Sequence, residues 1–342
     1  MDTINFDDLH QRRATARAQV NEKRRRLQPL IPFGRAALGI SRLLGFEQSL
    51  FQRRFQPLAQ RFTDRIEHAF TGYTPTTSDV IVCSYFKSGT HWMMQIAHQI
   101  AHRGDGEYDN IYDVIPWNEG PNPLLGMPLT DPRPLQLSPT GLRVIKTHAA
   151  AEYVPYNDKA RYICVIRDPK DVFVSSFHFI AHAMLGHLRP SLNTWLNLYL
   201  SKQAFWGPWA EFTASYWPWR DRPNVHFVTY EQIQHDKLST IREIAAFMGV
   251  DLSDDELTRV DQLSSYQHMK DNDHKYHQGV GTPFSPPAGR MVRRGKKGTS
   301  GELLSPQQQT RIDDYCRQNL IDLGSDFPYD QFYGAEAEIP PE

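Results

Sequence analysis

From Asp79 onward the apolar positions fall into short runs set between longer amphipathic stretches. Val80-Ile81-Val82-Cys83, Leu142-Arg143-Val144-Ile145, Tyr162-Ile163-Cys164-Val165-Ile166 and Val225-His226-Phe227-Val228 are strand candidates. The first runs into a Ser/Gly turn and a helical pattern from about Thr90 to Arg103. The third leads into a helix from about Lys170, and the fourth into one from about Glu231 to Met248. Strand–turn–helix units in series predict an α/β fold, a single domain with a central, mostly parallel sheet flanked by helices. Ligands of such folds bind beyond the carboxyl ends of the strands, and the polar motifs lie at those ends. Two segments read as long irregular loops, residues 116–140 (rich in Pro, with Asn and Gly) and 279–301 (Gly/Pro-rich, then basic). Loops of that length in a compact domain are usually functional.

Residues 1–70 follow a different pattern and read as a basic helical N-terminal extension, with the main domain spanning 71–342. The extension carries 13 Lys and Arg against 7 Asp and Glu, a local balance of +6. It is helix-prone from Asp7 to Leu27 and from Ala36 to Phe70, with Pro29 and Pro32 between. Leu30, Ile31, Phe33, Leu38, Ile40, Leu43, Leu44 and Phe46 form an apolar patch punctuated by Arg35 and Arg42. Such a segment lies on an anionic membrane surface, or packs as an arm on its own domain or a second subunit. Packing on protein is the expected outcome, because basic helices with an apolar face usually bury that face there.

Composition narrows the class. A hydrophobic fraction of 40% with 23% charged residues matches a globular chain with a sizeable core. A formal net charge of −1 argues against nucleic acid as the partner. Three cysteines, Cys83, Cys164 and Cys316, do not make a disulfide framework. Two of them sit in strand-like apolar runs, as small buried hydrophobes do. The first 30 residues lack the apolar core of a signal peptide, and no run reaches the ~18 apolar residues of a spanning helix. A cytoplasmic location is therefore expected.

Three motifs carry chemistry. Ser84-Tyr85-Phe86-Lys87-Ser88-Gly89-Thr90-His91-Trp92 follows a strand and opens a helix. Unpaired N–H groups at the helix start, Gly89 for close approach, the Lys87 cation and the Ser88 and Thr90 hydroxyls make an anion cradle. The lysine precedes the glycine, so this is not a Walker A loop; alone, the motif reads equally as a capped turn with a surface lysine. Arg167-Asp168-Pro169-Lys170-Asp171 ends a buried strand in an arginine able to fork onto phosphate, with Ser175 on the helix that follows. Read structurally, the same arginine simply pairs with Asp168 or Asp171. Arg293-Arg294-Gly295-Lys296-Lys297-Gly298 is a basic glycine loop, weak evidence by itself.

In this order the motifs resemble the cytosolic-type sulfotransferases that use 3′-phosphoadenosine 5′-phosphosulfate (PAPS). Tyr85-Phe86-Lys87-Ser88-Gly89-Thr90-His91-Trp92 resembles the family's Tyr-Pro-Lys-Ser-Gly-Thr-x-Trp. Arg167 to Ser175 resembles its 3′-phosphate motif, and Arg293-Arg294-Gly295 its Arg-Lys-Gly loop. Lys146-Thr147-His148 is similar to the Lys-Thr-His that carries the family's catalytic histidine, Ser264-Ser265-Tyr266 to its adenine-contact segment, and Tyr230-Glu231 to its Tyr-Glu after a strand. The likeness covers about Asp79 to Tyr315. Phe86 departs from the usual proline, Thr299-Ser300-Gly301-Glu302 stands where Gly-Asp-Trp is usual, and the Lys-x-x-x-Thr-Val-x-x-x-Glu dimer motif is missing, which leaves the oligomer open.

The resemblance implies a transferase in which His148 is the general base and Lys87, with Lys146, stabilises the leaving phosphate. Ser88, Gly89, Thr90 and His91 would line the phosphosulfate loop. Arg167, Ser175, Arg293, Arg294 and Gly295 would hold the 3′-phosphate. Trp92 and Tyr266 would stack on adenine, with Tyr230 or Ser264 hydrogen-bonded to it. PAPS is the implied co-substrate and no metal is required. The histidine pairs His98/His102 and His178/His182 have the i, i+4 spacing of zinc ligands but suggest no third ligand. Phe86, Trp117, Phe177 and Phe179, with His148 and the Pro116–Pro139 loop, would wall an apolar acceptor site. That favours a small hydrophobic molecule or lipid over a polyanion. The rival readings are a P-loop kinase using ATP and magnesium, which lacks its Walker lysine, and a non-catalytic nucleotide-binding protein.

Overall fold

The computed structural model describes residues 6–120, 122, 125–202, 204, 206–277, 281–285, 291–292 and 298–334, without the side chains of 182 and 183. Four parallel strands, β1 (Asp79–Ser84), β2 (Arg143–Thr147), β3 (Arg161–Ile166) and β4 (Val225–Thr229), form one sheet in the order β2-β1-β3-β4. The register pairs Ile81 with Ile145 on one side and with Tyr162 on the other, and Cys164 with Phe227. Chain order reverses at β1, since β2 lies on one side of it and β3 on the other. The crevice between the carboxyl ends of β1 and β3 is the position where such sheets bind ligands.

Helices cover both faces. In chain order they are α1 (Asp7–Leu27), α2 (Ile31–Leu43), α3 (Glu47–His68), α4 (Thr90–Ala101), α5 (Arg133–Leu137), α6 (Pro169–Phe179) and α7 (Leu192–Tyr199). There follow α8 (Trp209–Tyr216), α9 (Tyr230–His235), α10 (Lys237–Met248), α11 (Asp254–Leu263), α12 (Tyr266–Asp271), α13 (Pro306–Asp322) and α14 (Tyr329–Tyr333). Successive strand residues alternate between two cores. Val80, Val82, Val144, Ile163 and Val165 pack with α4, α10 and α11, whereas Ile81, Cys83, Ile145, Tyr162 and Cys164 pack with α6, α7, α8 and α13. Burial on both faces explains why the strands read as apolar runs and not as alternating ones.

Two helical expectations change. The stretch expected as one helix from Ala36 to Phe70 is two, broken where Gly45 takes φ +74°, a left-handed value that ends α2. Pro32 opens α2 instead of separating helices, because a proline in the first turn costs no hydrogen bond. The expected Glu231–Met248 helix is also two, with Asp236 capping α10 through Ser239 N–H. Residues 6–70 pack on the rest of the same chain. Phe51, Phe55 and Leu38 join the core beside α6 and α7. Buried Arg13 pairs with Asp113 and donates to Leu125 O at 2.9 Å. Glu47 accepts from Ser191 and Thr194.

Candidate active site

The loop between β1 and α4 is held in a shape few residues adopt. Lys87 has φ +65° and Gly89 φ +96°. A Cβ on residue 89 would lie 2.7 Å from the Tyr230 ring, so this position needs glycine on both counts. Ser84 Oγ and Thr90 Oγ1 lie 2.7 Å apart across the base of the loop. Ser88 is fully buried, and its Oγ has no hydrogen-bond partner among the described residues. A buried orphan hydroxyl at the start of a twelve-residue helix is what an anionic ligand's oxygen would satisfy.

The end of β3 closes the other side of the crevice. The Arg167 guanidinium lies 4.0 Å from the centre of the Tyr230 ring and donates to Lys87 O at 3.2 Å, so the two loops meet through it. It also faces Asp171 at 3.5 Å. Asp171 in turn accepts from Gly298 N–H at 2.9 Å and Thr299 N–H at 2.8 Å. The carboxylate thereby fastens the end of the basic loop beside Arg167. Arg293, Arg294 and Gly295 themselves lie outside the described residues. Ser175 is half-buried on α6, two turns beyond. Burial is the main cause that raises the Glu231 carboxyl to about 7, against the pull of Arg167.

Trp92 and the 264–266 segment form one unit. The indole N–H donates to Ser264 O at 2.8 Å and the ring meets Tyr230 edge-on at 5.3 Å. Ser264 sends its own hydroxyl proton back to Val260 O at 2.7 Å, so that side chain is left only lone pairs to offer a ligand. Tyr266 opens α12, capped by Ser265.

Across the crevice, β2 delivers Lys146 and His148. His148 is buried, and its Nδ1 lies 2.7 Å from Ser84 O. A carbonyl oxygen only accepts, so Nδ1 carries the proton and Nε2 keeps its lone pair. The His148 backbone N–H donates to Glu119. Burial first, then Lys146 and Lys87, holds the imidazole well below its ordinary range. Lys146 Nζ sits 3.4 Å from the centre of the Trp117 ring and donates to Tyr112 OH at 3.1 Å. Burial brings its ammonium down to about 7, opposed by Glu119 and aided by Lys87. Tyr112 OH also bonds His91 Nε2 at 2.8 Å, which ties His91 to the Lys146 side of the loop.

Aromatic rings surround the imidazole. Phe86 and Trp117 meet it edge-on at 5.8 and 5.6 Å. Phe179 packs 5.2 Å from Phe86, with Lys87 Nζ 4.7 Å from its ring. Trp206 stacks on Phe86 at 3.6 Å. Phe177 is half-buried against the core, and among the described residues no ring contact joins it to Phe86 or His148. Sequence reasoning missed Tyr112, Glu119 and Trp206. Residue 119 lies within the Pro-rich loop singled out as functional and residue 112 just before it, and no pattern marked 206. Among the described residues no group of His, Cys, Asp or Glu could hold a metal ion.

A parallel α/β sheet with a left-handed loop, converging cations and a buried, Nδ1-protonated histidine beside aromatic rings is an arrangement suited to group transfer from an anionic donor. Residues 77–324 match the family model for the sulfotransferase domain. Human sulfotransferase 1C2 is 26% identical over 255 residues, covering 71% of this chain and 83% of the relative. Rat sulfotransferase 2A1 is 29% identical over 216 residues, 61% and 73% of the two chains. Among solved structures, retinol dehydratase in complex with androsterone and the inactive cofactor PAP superposes with TM-score 0.61 at 21% identity, covering 79% of this chain and 88% of that one. Mouse sulfotransferase SULT7A1 complexed with PAP gives 0.59 at 23%, covering 77% and 91%. The chain belongs to the sulfotransferase domain family and is a PAPS-dependent sulfotransferase. The kinase and non-catalytic readings are thereby set aside.

Proposed function

We propose that this enzyme moves the sulfuryl group of PAPS to a hydroxyl, less readily an amine, of a hydrophobic small molecule or lipid. The observation that carries the reading is the His148 tautomer, with Nδ1–H engaged by Ser84 O and Nε2 left basic beside Phe86 and Trp117. The acceptor oxygen attacks sulfur in line with the departing phosphate oxygen. One S–O bond forms as the other breaks, the acceptor proton passes to Nε2, and 3′,5′-adenosine bisphosphate (PAP) leaves with the electron pair. Lys87 and Lys146, with the N–H groups opening α4, would stabilise that leaving charge. Ser88, Gly89, Thr90 and His91 would border the phosphosulfate. Arg167, Ser175 and the Arg293-Arg294-Gly295 loop would take the 3′-phosphate. Trp92, Tyr230, Ser264 and Tyr266 would border the adenine, Ser264 as an acceptor only. Phe86, Trp117, Phe179 and Trp206 would wall the acceptor site, whereas Phe177 packs against the core. Two of the related structures hold androsterone or retinol beside PAP, molecules of the size and polarity such a wall would take. The three free, buried cysteines accord with a reducing cytoplasm.

Transfer from labelled PAPS to a panel of steroid, phenol and long-chain alcohols tests the reading. His148→Ala should lose about 10²- to 10⁴-fold in kcat while PAP still binds. Unchanged turnover in that variant would remove His148 as the base.

A further inference from the structure

The inward stripe of α2 is spent on the protein, and its outward face is not. Leu38 and Ser41 are buried, and Gly34 lies against Leu188. On the other side Leu43 is 88% exposed, Phe33 74% and Leu44 68%, with Leu30, Ile40 and Phe46 also open. These residues are adjacent along one helix and its ends, and so make a continuous apolar surface of the kind soluble proteins rarely leave bare.

The sequence around the patch is strongly cationic, with Glu22 just before it bonded to Arg26. Lys23, Arg24, Arg25, Arg26, Arg35, Arg42, Arg53, Arg54 and Arg61 all fall between residues 23 and 63, and Glu47 is the one acidic residue there. Glu47 is buried and bonded to Arg42, Ser191 and Thr194, so it shows no free charge to solvent. Residues 1–70 hold 13 Lys and Arg against 7 Asp and Glu, which leaves 25 against 32 for the remainder, a balance of +6 against −7. A second copy of the chain would meet this patch with its own like charge or with a mixed surface. An anionic bilayer meets both features together, since apolar side chains enter the acyl boundary while arginines pair with headgroups.

The patch also joins the reaction centre. Phe179, on the acceptor wall, leads through a π-helical turn (Ile180–Leu185) to Leu188, which packs on Gly34 of α2. Arg42 donates to Arg189 O at 3.0 Å. The segment that ends α6 therefore runs directly from the acceptor wall to the back of the exposed helix.

We propose that the outward face of α2, from Leu30 to Phe46, seats the enzyme on an anionic membrane surface, from which a lipid-soluble acceptor reaches the site. The acceptor clause rests on the sulfotransferase reading, whereas the docking clause does not. The test is flotation of the full-length protein with vesicles of phosphatidylcholine alone and of phosphatidylcholine mixed with phosphatidylglycerol, at low and high salt. Wild type should float with the anionic vesicles and release at high salt. Leu43→Glu combined with Phe33→Glu, both on exposed side chains, should weaken that binding by at least about tenfold. Arg25→Glu with Arg26→Glu should do the same while leaving the apolar face intact. Turnover of a water-soluble phenol should be unchanged in both variants, and a circular dichroism melt checks their folding. Flotation that is absent, equal on neutral vesicles, or unaffected by both variants overturns the proposal. So does concentration-dependent dimerisation of wild type, abolished by the apolar variant, without flotation. Failure to turn over the soluble phenol would instead count against the sulfotransferase reading and leave the flotation result standing.

Discussion

Lys146 and His148 sit two residues apart at the end of β2, yet burial acts on them in complementary ways. Both lose affinity for a proton, which leaves His148 a neutral base well below neutral pH and puts Lys146 at about 7 in the free enzyme. The lysine charge that would meet the leaving phosphate is present below that value and is lost as pH rises through it. kcat/KM should therefore fall above about pH 7, and Lys146→Arg, which stays charged, should flatten that limb. The limb in kcat should lie higher, because the bound phosphosulfate favours the ammonium. A pH–rate profile of both parameters checks this, and a flat kcat/KM from pH 6 to about 9 would contradict it. Glu231 is the opposite case, with a folded value of about 7 against an ordinary 4.5. Between those values the folded state holds a proton that the unfolded chain releases, so stability falls as pH rises through that window. Glu231→Gln keeps the oxygen that accepts Asp168 N–H and removes the charge. It should raise thermal stability at alkaline pH by no more than about 3 kcal/mol, and the gain should vanish near the ordinary carboxylate range.

At the level of elements, the site depends on loops that bring strand ends together. The β1–α4 loop keeps its shape through Gly89, whose missing Cβ makes room for Tyr230. Gly89→Ala should cost about 1–3 kcal/mol of stability and weaken PAP binding, read by a melt and by titration. Retained affinity would mean the loop tolerates a different path. The strands and their following helices were legible from sequence because a doubly covered parallel sheet writes apolar runs between amphipathic stretches. Lys87, Arg167 and His148 were legible because each follows a strand within a recognisable motif. Glu119, Tyr112 and Trp206 were not, since they reach the site from irregular loops or, for Tyr112, a single 3-10 turn, where no period fixes direction. The break at Gly45 was likewise hidden, because a single glycine inside an apolar, helix-prone run marks either a tolerated interior position or an end. Ser264 lies beside Trp92, but its back-bond to Val260 O is a matter of side-chain rotamer that no spacing reveals.

On the scale of the whole molecule, the chain combines a sulfotransferase domain with a cationic helical arm that packs on it and still presents an apolar face. No helix among the described residues is long and apolar enough to cross a membrane. The arm, the π-helical turn and Phe179 form one continuous path, whereas the proposed donor crevice lies between β1 and β3. Donor binding can therefore be measured apart from the acceptor and the arm. The most direct test of the central claim is a thermal shift with PAP run beside ATP with magnesium, on wild type and Arg167→Ala. Saturating PAP should stabilise the wild type, by about 2.7 kcal/mol at a hundredfold excess over Kd. ATP with magnesium should do far less, and Arg167→Ala should lose most of the PAP effect. Equal or greater stabilisation by ATP with magnesium, or a PAP shift untouched by Arg167→Ala, would contradict the assignment of the crevice between β1 and β3 as the PAPS site.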